Sequence, residues 1–99
     1  MRKDNTMIKK GRKKGEVTFV FHPNFKAMTA YLAGSFNHWK TSELPMTKNK
    51  DGSFKKKMTL PAGRHEYKFI VDGNWMNDPE AEGNVVNPYG TLNSVITIK

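Results

Sequence analysis

Two tryptophans in turn-rich stretches are the residues of this chain best placed for recognition chemistry. Trp39 closes the run Leu32-Ala33-Gly34-Ser35-Phe36-Asn37-His38-Trp39, and Trp75 follows the tight turn Val71-Asp72-Gly73-Asn74. Tryptophan is mostly a core or interface residue, whereas turns are mostly exposed. A flat apolar ring at a loop edge can stack on a sugar, a nucleobase or another protein's side chain. For one tryptophan alone, burial at an open end of the fold is the better expectation. Two of them, followed by Asn87-Pro88-Tyr89-Gly90-Thr91-Leu92-Asn93, favour a platform. There Tyr89, Thr91 and Asn93 fall at spacing two, so they share a face if the segment is extended. A ring, a hydroxyl and an amide on one face suit a neutral polyhydroxylated ligand. The competing reading is a loop that satisfies its own backbone with Thr and Asn side chains.

Catalytic and metal chemistry find little support. His22, His38 and His65 lack metal-ligand spacing, and no nucleophile elbow or phosphate loop is present. Asp72 and Asp78 form a conceivable acid pair. Asp72 is better explained by its turn, and Asp78 by the Pro79 that follows it. Asp78, Glu80 and Glu82 are expected in a solvated loop and lack the spaced oxygen ligands of a calcium site. The chain therefore reads as a non-enzyme, with no catalytic residue, metal ligand or cofactor assigned.

Composition narrows the partners. The 99 residues suit one domain with one two-layer core. Cysteine is absent, which removes disulfides and thiolate metal sites and is compatible with a reducing cytosol. No apolar run is long enough to span a bilayer, and the charged start lacks the apolar stretch of a signal peptide. The net charge of +8 points to nucleic acid until it is located. Residues 1–15 hold seven Lys/Arg and one Asp, whereas residues 16–99 hold ten Lys/Arg and eight Asp/Glu. Most of the positive charge is thus a short basic tail, expected to be disordered and solvated. The nearly balanced remainder argues against nucleic acid as a partner.

The elements that must carry the tryptophans read as strands. Residues 16–21 alternate, with Val17, Phe19 and Phe21 on one face. Residues 28–33 form a second strand, and residues 36–45 a loop with room for a helical turn. Residues 46–48 are a short strand, and Asn49-Lys50-Asp51-Gly52 is a hairpin turn. Residues 53–60 return as an edge-like strand, because three successive lysines discourage pairing. Residues 64–71 are the strongest strand, with Tyr67, Phe69 and Val71 inward and Glu66, Lys68 and Ile70 outward. Lys68 then leads towards Trp75 and can donate hydrogen bonds to hydroxyls. Residues 77–90 are expected as one long acidic loop, and residues 93–98 as the closing strand. Six or seven short strands without a helix predict an all-β, immunoglobulin-like antiparallel β-sandwich over residues 16–99.

At this point the sequence resembles a known family. The run Leu32 to Trp39 is similar to the signature of glycogen-binding modules. So are Leu60-Pro61-Ala62-Gly63-Arg64-His65-Glu66-Tyr67-Lys68-Phe69-Ile70-Val71-Asp72-Gly73-Asn74-Trp75 and Gly90-Thr91-Leu92-Asn93-Ser94-Val95-Ile96. The chain resembles carbohydrate-binding module family 48. That family includes the glycogen-binding domain of the AMP-activated protein kinase beta subunit and N-terminal domains of branching and debranching enzymes. The resemblance implies a β-sandwich that binds α-1,4-linked glucans. It implies that Trp39 and Trp75 stack on successive glucose rings, and that Lys68, Thr91 and Asn93 hydrogen-bond the sugar. Where kinase-type members carry a leucine that reaches into the curved glucan, this chain has Tyr89, which can stack or hydrogen-bond instead.

The expected function is non-catalytic binding of glycogen, starch or maltodextrin in the cytoplasm. The alternatives are a protein-interaction sandwich and a packing domain of a larger glucan-modifying enzyme. The partners expected are an α-glucan, with a protein partner or fused enzyme as the further option, and no membrane.

Overall fold

A computed structural model describes residues 8–10 and 14–99 of the chain. Of the tail assigned to residues 1–15, residues 1–7 and 11–13 lie outside the described residues, and residues 8–10 form strand β1 (Ile8–Lys10). Nine strands follow: β2 (Glu16–Phe21), β3 (Ala30–Gly34), β4 (Leu44–Pro45), β5 (Thr47–Lys48), β6 (Phe54–Thr59), β7 (Gly63–Val71), β8 (Asn74–Met76), β9 (Gly83–Val86) and β10 (Leu92–Ile98). The only helical element among the described residues is one 3-10 turn, Ser35–Asn37. This is the all-β antiparallel sandwich expected from the strand pattern. One sheet has the order β1-β2-β6-β5 and the other β4-β3-β7-β10-β9, with β8 also on β7.

Alternation builds the core as the sequence predicts. Val17, Phe19 and Phe21 face Tyr67, Phe69 and Val71 across the sandwich, all at most 2% exposed. Phe19 meets Tyr67 edge-on with ring centroids 4.9 Å apart, and Phe21 lies 5.1 Å from Phe69. Each such buried ring stabilises the fold by about 1.5–3 kcal/mol.

Strand β7 organises the outer face. One of its edges pairs with β3 along Tyr67–Val71. Its other edge pairs first with β10, from Gly63 to Tyr67, and then with β8, from Phe69 to Val71. Lys68 falls at the change of partner. The end of β7, the start of β10 and the hairpin bearing Trp75 therefore meet beside it. The turn into β8 is tight because Asp72 and Gly73 adopt left-handed backbone, with φ of 50° and 84°. Asp72 Oδ1 accepts the N–H groups of Met28 and Thr29, each at 2.9 Å. The Thr29 bond, then the Met28 bond, holds its carboxyl below its ordinary value.

Two segments differ from the sequence reading. Strand β6 is not an edge: it lies between β2 and β5, with Lys57 ion-paired to Glu16 at 3.4 Å. Lysine-rich sequence resembles an edge whenever only one face of a strand is buried. Residues 77–90 are not one solvated loop. Gly83–Val86 pairs with β10, and Asp78 is only 1% exposed. Asp78 Oδ2 accepts the Tyr67 hydroxyl at 2.7 Å, Asp78 Oδ1 accepts the Glu80 N–H at 2.9 Å, and the Asp78 N–H donates to Ser94 Oγ at 2.7 Å. A distant tyrosine, invisible in local sequence, turns a loop aspartate into a buried anchor.

Burial raises the Asp78 carboxyl above its ordinary value, against the opposing pull of the Tyr67 hydrogen bond. Burial, then the adjacent Asp78 charge, raises the Tyr67 phenol as well. The folded state therefore holds the Asp78 proton above the unfolded value of 3.8, and this contribution to stability is lost as pH rises through the folded value. Asp78→Asn should remove that downward slope. Urea unfolding of both proteins from about pH 4 to about pH 7 checks it; a variant-to-native difference that stays constant with pH refutes it. Asp78→Ala should cost about 2 kcal/mol by leaving the Tyr67 hydroxyl unpaired.

Candidate functional site

The outer face of the larger sheet carries a second apolar layer. Ala33, Ile70 and Val95 are at most 9% exposed, yet they lie outside the sandwich core. Trp75 pairs with Ile70 across the β7–β8 ladder, so the two side chains share that face. The Trp75 ring stays 47% exposed, an unusual state for so large an apolar side chain.

Trp39 reaches the same face from the loop after β3. His38 and Trp39 both have left-handed backbone, with φ of 57° and 59°. For non-glycine residues this is strained. The buried side chain of Asn37 holds it: its Oδ1 accepts the Gly34 N–H at 3.0 Å, and its Nδ2 donates to the Lys40 carbonyl at 3.2 Å. The Trp39 N–H donates to the Gly34 carbonyl at 3.0 Å. The result places the Trp39 and Trp75 rings 6.4 Å apart between centroids and inclined by 53°.

Polar groups stand at the start of β10. Lys68 lies on the outer face, as alternation predicts, but it is not an ordinary surface lysine. It is 8% exposed, and its Nζ donates to Thr91 Oγ1 at 3.3 Å. Asn93 is 6% exposed and donates from Nδ2 to Glu66 Oε1 at 3.0 Å. Glu66 is in turn 3.4 Å from the Arg64 guanidinium.

The expectation that Tyr89, Thr91 and Asn93 share an extended face is not met. Residues 87–90 form a turn, closed by the Gly90 N–H on the Asn87 carbonyl at 3.0 Å, with Gly90 at φ 82°. Tyr89 projects from that turn, 90% exposed, while Asn93 lies in the strand. Thr91 and Asn93 are gathered instead by Asn87, whose Nδ2 donates to Thr91 Oγ1 at 2.7 Å and to Asn93 Oδ1 at 2.9 Å. Sequence reasoning missed Asn37. It offered Asn87 only within the competing reading of a loop that satisfies its own backbone, which Asn87 Oδ1 does by accepting the N–H groups of Tyr89 and Thr91. Its link to the Thr91 and Asn93 side chains was not foreseen. The signal available for Asn87 was its place before Pro88, a turn-initiating pair.

The arrangement is an open, inclined pair of aromatic planes bordered by amide, hydroxyl and ammonium groups. The inclination fits the faces of two adjacent rings in a curved chain better than one flat ring. A cavity of about 140 Å³ lies elsewhere, between the loop of residues 22–27 and the hairpin of residues 48–53, and shares no residue with this face. Among the described residues, no group of three or more His, Cys, Asp or Glu side chains is placed to hold a metal ion. Nor is any helix among them long and apolar enough to cross a membrane.

Residues 17–99 match the family described as the glycogen recognition site of AMP-activated protein kinase. The chain is 46% identical over 69 residues to the 5'-AMP-activated protein kinase subunit beta-1 of Sus scrofa, covering 70% of this chain and 53% of that protein. It is 48% identical over the same length to subunit beta-1 of Bos taurus and 42% to subunit beta-2 of Mus musculus, covering 24% of each. The chain thus spans from about a quarter to about half of the curated relatives it matches.

Proposed function

The chain belongs to the family of the glycogen recognition site of AMP-activated protein kinase, and from that premise we propose that it binds α-1,4-linked glucans without transforming them. The observation that carries this reading is the pair of tryptophan rings, 6.4 Å apart and inclined by 53° on one sheet face. The apolar faces of two successive glucose units stack on Trp39 and Trp75. Lys68, Thr91 and Asn93 take the hydroxyl edge, and Tyr89 adds an exposed ring at the border. The relatives are named as subunits of a kinase, which favours a targeting module that works beside other polypeptides.

Each stacked ring contributes about 0.5–1.5 kcal/mol beyond burial, so a short glucan should bind with a dissociation constant of roughly micromolar to millimolar. A polymer that engages several modules binds more tightly through effective concentration. Titration with maltoheptaose, read by tryptophan fluorescence, should give a saturable change. No response would overturn the reading. Because the ligand is neutral, the affinity should barely change from low to high salt, whereas a nucleic acid held by the basic tail would be released. A protein that binds the chain without competing with maltoheptaose would point to the interaction-module alternative.

A further inference from the structure

Resting on the glucan reading, we infer that Asn87 is a positioning residue that fixes the polarity of the site, so that Thr91 and Lys68 present only hydrogens and select acceptor oxygens on the sugar. The chain of constraint starts in the backbone. The N–H groups of Tyr89 and Thr91 donate to Asn87 Oδ1 at 2.9 and 3.1 Å. A backbone N–H can only donate, so this end of the amide must be the oxygen.

The opposite end is then the nitrogen, which faces Thr91 Oγ1 at 2.7 Å and Asn93 Oδ1 at 2.9 Å. Both partners must accept from it. Asn93 is oriented in turn, with its nitrogen donating to the Glu66 carboxylate at 3.0 Å. At Thr91 the Lys68 ammonium adds a second donated hydrogen at 3.3 Å. A hydroxyl oxygen has two lone pairs, and here both are taken. The Thr91 hydrogen itself has no acceptor among the described residues, so it is the group offered to a ligand. Lys68 adds ammonium hydrogens, and an ammonium group accepts nothing. A sugar hydroxyl meeting these two residues is therefore read through its oxygen, and its own hydrogen turns elsewhere.

Asn87→Asp tests the device, because aspartate keeps an acceptor for both backbone N–H groups but loses the donor. The Thr91 hydroxyl then turns inward to the new carboxylate. With the full chain and maltoheptaose as probe, Asn87→Asp should weaken binding roughly tenfold, while the backbone amides of Tyr89 and Thr91 keep their protection from hydrogen exchange. Thr91→Val alone should weaken binding roughly three- to tenfold, and should cost little further in the Asn87→Asp background. Native affinity in Asn87→Asp, or a full second loss in the double variant, overturns the inference.

A ligand-free measurement separates this from the glucan reading and does not depend on the variant folding. The Asn87 side-chain amide hydrogens should exchange roughly tenfold more slowly than those of exposed Asn84. Equal exchange overturns the inference. Slow exchange together with no maltoheptaose binding supports the Asn87 geometry and defeats the glucan reading instead.

Discussion

Replacing Trp75 with alanine is expected to weaken maltoheptaose binding by about thirtyfold, a loss of about 2 kcal/mol in stacking and apolar burial. Trp75 is half exposed, so most of what its ring can gain is still available to a ligand. It lies on β8, a short strand pinned by the Asp72-Gly73 turn and by pairing with Phe69, Ile70 and Val71. The ring is therefore held in place before any ligand arrives, which limits the entropy lost on binding. Truncation leaves β8 paired and uncovers Ile70, so the fold should lose only about 1 kcal/mol. The measurement is a calorimetric titration of both proteins with a thermal melt alongside. An unchanged affinity with the fold intact would remove Trp75 from the site. Lys68→Met should weaken binding less, by about 1 kcal/mol, because it removes hydrogen bonds and no stacked surface.

The parts legible in the sequence are those with a local period or a local turn. Val17, Phe19 and Phe21 alternate without interruption, and so do Tyr67, Phe69 and Val71; all six are buried where that alternation places them. The Asp51-Gly52 hairpin and the Asp72-Gly73 turn were equally readable, since positive φ has a short list of tolerant residues. What escaped depends on partners far along the chain. Asp78 reads as a solvated acid until Tyr67, eleven residues away, buries beside it. Gly83–Val86 is too short and too mixed to read as a strand, and only pairing with β10 defines it. Spacing two suggested that Tyr89 shares a face with Thr91 and Asn93, because a period says nothing about where a turn interrupts extension. Asn37 and Asn87 resembled ordinary loop asparagines. Their roles come from multiple hydrogen bonds per amide, which only three-dimensional placement reveals.

The second large effect is expected at Gly34, a residue that touches no ligand. Its backbone is extended, at φ −170° and ψ −176°, so conformational freedom is not why glycine stands there. Space is. A Cβ at this position would lie 2.5 Å from the Glu66 carbonyl oxygen and 2.6 Å from the Phe36 ring. The carbonyl belongs to the central strand β7 and accepts from Ser35 Oγ at 3.4 Å, so it cannot retreat without disturbing the pairing around it. Overpacking of this kind costs about 1–3 kcal/mol. For a chain of this size Gly34→Ala should therefore lower the thermal midpoint by roughly 5–20 °C. The effect should also reach the site. The Gly34 N–H and carbonyl bind Asn37 and Trp39, and those two bonds hold the left-handed turn that aims the Trp39 ring. Glucan affinity should then fall even at temperatures where the variant is fully folded. Gly83→Ala is the control, since its Cβ would meet only Val95 at an ordinary 3.9 Å. A melt and a titration of both variants decide the matter. Native stability in Gly34→Ala would show that Phe36 and β7 yield to a methyl group. A lowered midpoint with undiminished affinity would show that the Trp39 turn is held independently of Gly34, by Asn37 and Lys40 alone.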